Sequence, residues 1–412
     1  MLINYFVILV ILLLFAGLAL DTGVLEWRFM LMQQAADAAA QEAMYQFARN
    51  DSSWAADGKA QATLHGFTNG VNGAVVTITN PPTSGPWLGD AWSVQASVSQ
   101  SVPNLFMEFV NGGKSTIGAN AVARVLYTCI WIMNPSSSSA DSIAVASASI
   151  TAPCGVFLNT ASGYNLGVDG FSWLYSLRIR VVGPSGGNTS SGSVYTQPKF
   201  GASVKNDPLA YITAPVFSSC DHTPITYSTG THTIGPGTYC GTATLPAITL
   251  SNTTLYLNPG LYIITGGISA ANSYIHGEGG VTIYFTKGNG AGYGTVSIDG
   301  TYGSSTSGLY LKASTSSLGG SIPGIVIFGD RGWVTHGSAS VRFNYTQVTT
   351  DGIWYLPNTG LFLWISPFSF FNYNAIEVDN FYNFGASVLF HVDYSSLGGV
   401  SPFHYEDGLL VQ

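Results

Sequence analysis

The sequence predicts a mainly β protein with one long N-terminal α-helix, a small antiparallel sheet beside it, and a β-helix-like region after them. Three observations carry that prediction. Residues 1–49 contain no proline and run from a dense apolar stretch into an alanine-rich one. Beyond residue 70, short period-two apolar segments alternate with Gly, Ser, Asn and Pro turns. Glycine, serine and threonine together supply 130 of the 412 residues, against 34 charged ones.

That composition also excludes partners. Charged residues are 8% of the chain, where soluble domains carry about 25%. Aromatics at 13% and a hydrophobic class of 46% leave ample material for a core. Six Lys and seven Arg, never in a run, with a net charge of -8, argue against nucleic acid and against a polybasic membrane patch. A Ser/Thr/Gly/Asn/Tyr/Trp surface suits the outside of a cell, or a chain covered by copies of itself.

The helix comes first. Met1 to Leu20 carries no charge and one strongly polar residue, Asn4. Twenty helical residues reach about 30 Å, the thickness of a bilayer's hydrocarbon core. No basic residue precedes Arg28, so the segment reads as a retained hydrophobic helix rather than a signal peptide. From Asp21 to Arg49 the helix is expected to continue, with one glycine, Gly23, among strong helix formers. Ala35, Ala36, Ala38, Ala39, Ala40 and Ala43 offer a slim surface for close helix–helix approach. One reading is a single-pass anchor with a short stalk. The sharper one is a helix of about 75 Å that packs against its copies. Its expected assembly face is Leu2, Phe6, Leu9, Leu13, Phe15 and Leu18, then Asp21, Gly23, Ala36, Asp37 and Ala40.

The run Gly17-Leu18-Ala19-Leu20-Asp21-Thr22-Gly23, followed by Gln33-Gln34-Ala35-Ala36-Asp37-Ala38-Ala39-Ala40, resembles the opening of tight-adherence (Tad) pilus-assembly proteins of the TadE/TadG-like kind. Further matches are Pro153-Cys154-Gly155-Val156-Phe157-Leu158-Asn159, Asp207-Pro208-Leu209-Ala210 and Pro259-Gly260-Leu261-Tyr262-Ile263-Ile264, so the resemblance spreads over roughly residues 1–330. It implies a pilin-like chain whose hydrophobic helix carries an exported, mostly β domain. The implied partners are copies of itself in a helical homo-oligomer, Tad-type secretion machinery, and the inner membrane before assembly, with no cofactor. Tyr5 stands where type IV pilins usually carry a glutamate that pairs with a neighbour's N-terminal amine. With Met1 as the mature start, assembly would rest on apolar helix packing.

Four segments are expected: the helix over 1–50, a small pilin-like α+β segment over 51–128, a β-rich connecting region over 129–215, and a β-helix-like domain over 216–412. In the second, Val71–Thr79, Trp92–Ser99 and Ala119–Tyr127 read as strands and Val102–Val110 as a short helix. Four cysteines, Cys129, Cys154, Cys220 and Cys240, imply disulfides in an exported chain, with three connectivities open. Sequential pairing would close loops of about 25 and 20 residues, each stabilising by roughly 3 kcal/mol. Zinc is disfavoured because no C-x-x-C occurs.

In the last segment, Gly235-Pro236-Gly237-Thr238-Tyr239-Cys240 recurs as Asn258-Pro259-Gly260-Leu261-Tyr262-Ile263, offset by 23 residues. Short apolar strands then continue at Val281–Phe285, Leu309–Leu311, Ile325–Phe328, Val341–Phe343 and Ile353–Leu356. Such spacing suits a β-solenoid; a β-sandwich with irregular loops is the alternative. Of the aromatics of the C-terminal region, from Trp354 and Tyr355 to Tyr382 and Phe384, some are expected to cap the solenoid's open end, with a contact face for another subunit and carbohydrate stacking as the alternatives.

Chemistry is sparse. His276-Gly277-Glu278, His391-Val392-Asp393 and His404-Tyr405-Glu406 each put an imidazole and a carboxylate on one strand face, yet nothing makes the pairs converge. Asp330-Arg331 reads as a strand-end ion pair. No G-x-S-x-G, P-loop, dinucleotide fingerprint or H-E-x-x-H is present. Glycosylation sequons at Asn50, Asn188, Asn252 and Asn344 carry little weight in so Ser/Thr-rich a chain. No catalytic, cofactor or metal residue is therefore expected. The leading expectation is a structural subunit of an extracellular filament. Alternatives are a minor or membrane-retained Tad-type component or tip adhesin, and a membrane-anchored β-helix enzyme acting on surface polysaccharide.

Overall fold

The computed structural model describes residues 2–48, 51–91, 93–104, 113–125, 128–134, 142–161, 166–184, 191–288, 290–302, 306–336, 338, 340–364, 369–372, 375–390 and 408–410. The chain is mainly β and forms two compact units, one of residues 1–126 with 404–412, the other of 127–403. The second unit is therefore an insertion in the sequence of the first. The division after Leu126 lies beside the expected boundary at 128, no division falls at 215, and the chain's end belongs with its beginning.

In the first unit, α1 (Leu2–Ala48) is a continuous helix of 47 residues, about 70 Å long. Gly23 does not interrupt it. β1 (Ala74–Thr79), β2 (Ser93–Pro103) and β3 (Lys114–Val125) pair antiparallel in that order. The C-terminal strand Gly408–Leu410 adds a fourth strand, antiparallel to β3, with Leu410 opposite Ala123. β1 alternates as a half-buried strand must: Ala74, Val76 and Ile78 are buried and Val75 is exposed. The expected helix over Val102–Val110 does not begin as one, because Val102 and Pro103 end β2; residues 105–110 lie outside the described ones.

The alanine face is not available to copies. Met32, Ala35, Ala36, Ala39, Ala40, Ala43 and Met44 are all fully covered, and α1 packs there on β2, β3 and a second helix, α2 (Trp54–Leu64). Small side chains bring α1 close to its own sheet. α2 was not expected from the sequence, and Gly58 weakens its helical signal by about 1 kcal/mol relative to alanine. The glycine's reason is spatial: a Cβ there would stand 2.8 Å from Ala43 Cβ and 3.0 Å from Ala39 O. Gly58→Leu is expected to push the helices apart and to cost about 1–3 kcal/mol, read from thermal unfolding of the full chain.

In the second unit the named strands pair in parallel and form three ladders. Ladder A starts at Gly230–Ile234 and continues through Thr253–Leu257, Tyr274–Gly277 and Ser307–Lys312. Ladder B starts at Gly237–Cys240 and continues through Gly260–Thr265, Val281–Thr286 and Ile325–Gly329. Ladder C starts at Ile225–Tyr227 and continues through Ile248–Ser251, Gly267–Ala271 and Thr295–Asp299. Side chains from all three converge on one apolar interior, including Ile248, Leu255, Tyr262, Ile264, Ile275 and Ile283. Parallel in-register pairing is not the antiparallel plan of a sandwich.

The motif repeated at offset 23 recurs in local geometry rather than in register. Tyr239 OH donates to Gly235 O and Tyr262 OH to Asn258 O, both at 2.7 Å. Yet Gly237 pairs with Tyr262, two residues beyond its counterpart Gly260. Gly260, at φ +140°, lies under Pro236, whose ring carbons would meet a Cβ at 2.7 Å. Only glycine fits there.

The stacking order departs from the sequence order. After Ile376–Val378, ladder B continues with Thr128–Ile132; after Phe381–Phe384, ladder C continues with Ile143–Ala146; after Ser387–Phe390, ladder A continues with Ser149–Leu158. Leu166–Val168 and Trp173–Val181 stack beyond those. The expected connecting region over 129–215 is thus largely the far end of the same ladders. The C-terminal aromatics are accordingly not an end cap: Trp354, Tyr355, Phe381 and Tyr382 lie mid-stack, while Phe368, Tyr373 and the side chains of Phe370 and Phe371 lie outside the described residues. At the opposite end, Tyr227 and His232 occupy interior positions of the first repeat and stack at 3.9 Å.

A return segment, residues 199–222, travels back along the outer face of ladder B. Lys199 bonds Ile179 and Val181, Lys205 bonds Asn159, and His222 donates from its amide to Thr238 O in the first repeat. It covers an outward column of Ile263, Tyr284, Phe328, Tyr355, Glu377, Trp131 and Phe157, all buried. The disulfides are sequential: Cys129–Cys154 joins adjacent strands of ladder B, and Cys220–Cys240 fastens the end of the return segment to the first repeat. Replacing Cys220 and Cys240 by serine is expected to cost about 3 kcal/mol. Protease cleavage near the exposed Val216 should rise with it.

Candidate functional site

The most unusual surface is the first half of α1. An apolar helix segment folds stably only where something covers it. Ile8, Leu9, Leu12, Phe15, Leu18, Leu20, Trp27, Phe29 and Met30 are all exposed, Phe15 to 66%. At 3.6 residues per turn these positions share one broad face of about 200°, while Gly17 and Asp21 on the remaining side are buried. Each such side chain contributes about 1.5–3 kcal/mol when fully buried.

The expected assembly residues divide. Leu9, Phe15 and Leu18 are exposed, and at Gly23 a Cβ would meet nothing within 4 Å. Asp21 is 3% exposed. Asp37 accepts a 2.8 Å hydrogen bond from Gln33 Nε2, which also donates to Asn120 O on β3. Ala36 and Ala40 are withdrawn from the face, being covered within the chain. The side chains of Leu2, Phe6 and Leu13 lie outside the described residues. Among the described residues, no helix is long and apolar enough to cross a membrane; the expected spanning segment over 1–20 falls in part on residues whose side chains lie outside them.

Among the described residues the chemical candidates do not assemble into a centre. Among the described residues no three His, Cys, Asp or Glu converge as metal ligands would. His276 Nδ1 lies 3.3 Å from Glu278 Oε2, while the pairs at His391 and His404 lie outside the described residues. Asp330 and Arg331 do not serve one another as expected. Asp330 accepts from Tyr284 OH at 3.1 Å and Thr286 Oγ1 at 2.6 Å. Arg331 instead grips the return segment, its Nη2 donating to the carbonyls of Leu209, Ala210 and Ile212. Asn344 Nδ2 donates to Asp299 Oδ1, which makes that sequon a poor glycan acceptor.

One buried group escaped the sequence reading. Glu377 stands in the outward column of ladder B between Tyr355 and Trp131. It is fully buried, and neither carboxyl oxygen has a hydrogen-bond donor in good geometry. Burial first, and then the facing Asp207 carboxylate, hold its pKa well above the ordinary carboxylate range; Arg331 offsets part of this. Tyr355 OH accepts from Arg331 Nε at 2.6 Å and donates to Asp207 Oδ2. Burial likewise raises Tyr284, to about 12. With Glu377 enclosed, the cluster clamps the return segment through Arg331 and Asp207. No family model, curated protein or solved structure matches this chain.

Proposed function

We propose that this chain is a pilin-like structural subunit of an extracellular filament. Its N-terminal helices bundle with those of its copies, and its three parallel ladders form a β-helix carried on the filament's exterior. The observation that carries this reading is the exposed apolar half of α1, whose continuation is fastened into an antiparallel sheet of the same chain. The helix presents a broad exposed apolar face, and copies of itself supply an equally apolar, equally long partner. The TadE/TadG-like motif residues agree with this reading, and two disulfides fit an oxidising compartment. Electron microscopy of sheared cell-surface material, with the band identified by N-terminal sequencing, tests it. The expected result is this chain as a repeating polymer. Recovery solely as a detergent-soluble monomer overturns it.

A further inference from the structure

On the outer face of ladder A, at its corner with ladder C, a solvent-open cleft of about 490 Å³ is lined by Asn252, Thr253, Thr254, Asn272, Tyr274, Thr301 and Thr306. Among the described residues no charged side chain lines it. Asn252 and Asn272 occupy equivalent corners of successive repeats, at φ +49° and +47°, so both amides are held by the same turn. Asn272 Oδ1 accepts from Thr301 Oγ1 at 2.7 Å and Thr306 Oγ1 at 3.0 Å, which orients its amide. Tyr274 pairs with Gly308 in the next repeat, where a Cβ would lie 2.8 Å from the tyrosine ring. The missing side chain leaves room for the ring beside the neighbouring strand, where it also stacks with His276 at 6.4 Å.

We infer that this cleft binds a neutral oligosaccharide, with a sugar ring resting its C–H face on Tyr274 and its hydroxyls bonded to the surrounding amides and threonines. Sugar hydroxyls both donate and accept, and the lining offers both kinds of group. An aromatic face supplies apolar contact to the flat side of a pyranose. The volume falls in the usual range of small-ligand sites. Phosphorylated or acidic ligands are disfavoured, because the cleft holds no cation and the chain carries a net charge of -8. A protein partner would want more apolar surface than one tyrosine gives.

The test is isothermal titration of the full chain with isomaltohexaose, cellohexaose, chitohexaose and mannohexaose, with hexagalacturonate as the acidic comparison. Saturable binding of at least one neutral probe is expected. Tyr274→Ala and Thr254→Val should each weaken it about tenfold or more, Tyr274→Phe should retain it, and circular dichroism should be unchanged. Thr254→Val keeps the side chain's shape, so it guards against a fold defect in the alanine variant. Absence of neutral binding at millimolar concentration, preference for hexagalacturonate, or binding that survives both weakening variants overturns the inference.

Discussion

Phe15→Asp is expected to abolish polymer while leaving the subunit folded. Phe15 is 66% exposed, so the single chain loses little when the ring is removed. In a bundle of such helices the same position is enclosed by apolar neighbours, and an unpaired carboxylate there costs several kcal/mol. The cost recurs in every subunit, so elongation fails rather than slows. Phe15→Leu, which keeps the apolar contact, should assemble. The measurement is filament yield in sheared material alongside the thermal midpoint of the purified chain. Normal filaments from the aspartate variant would show that this stretch of α1 is not the contact.

The legible parts of the fold were those written locally. A proline-free apolar run gives α1, period-two alternation gives β1 and β2, and four cysteines in an exported chain give disulfides, though not which of three pairings occurs. The stacking order was not legible, because parallel ladders are joined by backbone hydrogen bonds that any residue makes. Nothing in Thr128–Ile132 marks it as the neighbour of Ile376–Val378. The alanine face was visible but its partner was not: small residues specify close approach, and here Gly58 of the same chain makes it. Asp330 and Arg331 misled through adjacency: Asp330 is engaged by Tyr284 and Thr286, and Arg331 by Tyr355 and the return segment, partners that lie far off in sequence. The cleft beside Tyr274 needs residues from three repeats, and no single segment displays it.

Glu377→Gln is expected to make the protein more stable at neutral pH and to flatten its pH dependence. The titrating neighbours are Asp207 and Tyr355, with the Arg331 guanidinium beside them. Glu377 has a folded pKa well above its ordinary value of 4.5. The folded chain therefore holds a proton that the unfolded chain has released, and stability falls as pH rises. The contribution is complete below about pH 4.5 and is lost progressively toward the raised folded value, at up to about 1.4 kcal/mol per pH unit. Loss of the proton would place two carboxylates together under the return segment, where Arg331 and its three carbonyl acceptors oppose the repulsion. Glutamine has nearly the same shape, carries no charge and can donate to Asp207. Urea midpoints between about pH 5 and 8 should decline for the native chain and stay level for the variant, with the two converging near the acidic end. Parallel slopes for the two proteins would mean that Glu377 carries no proton in the fold and that the clamp is held by Arg331 alone.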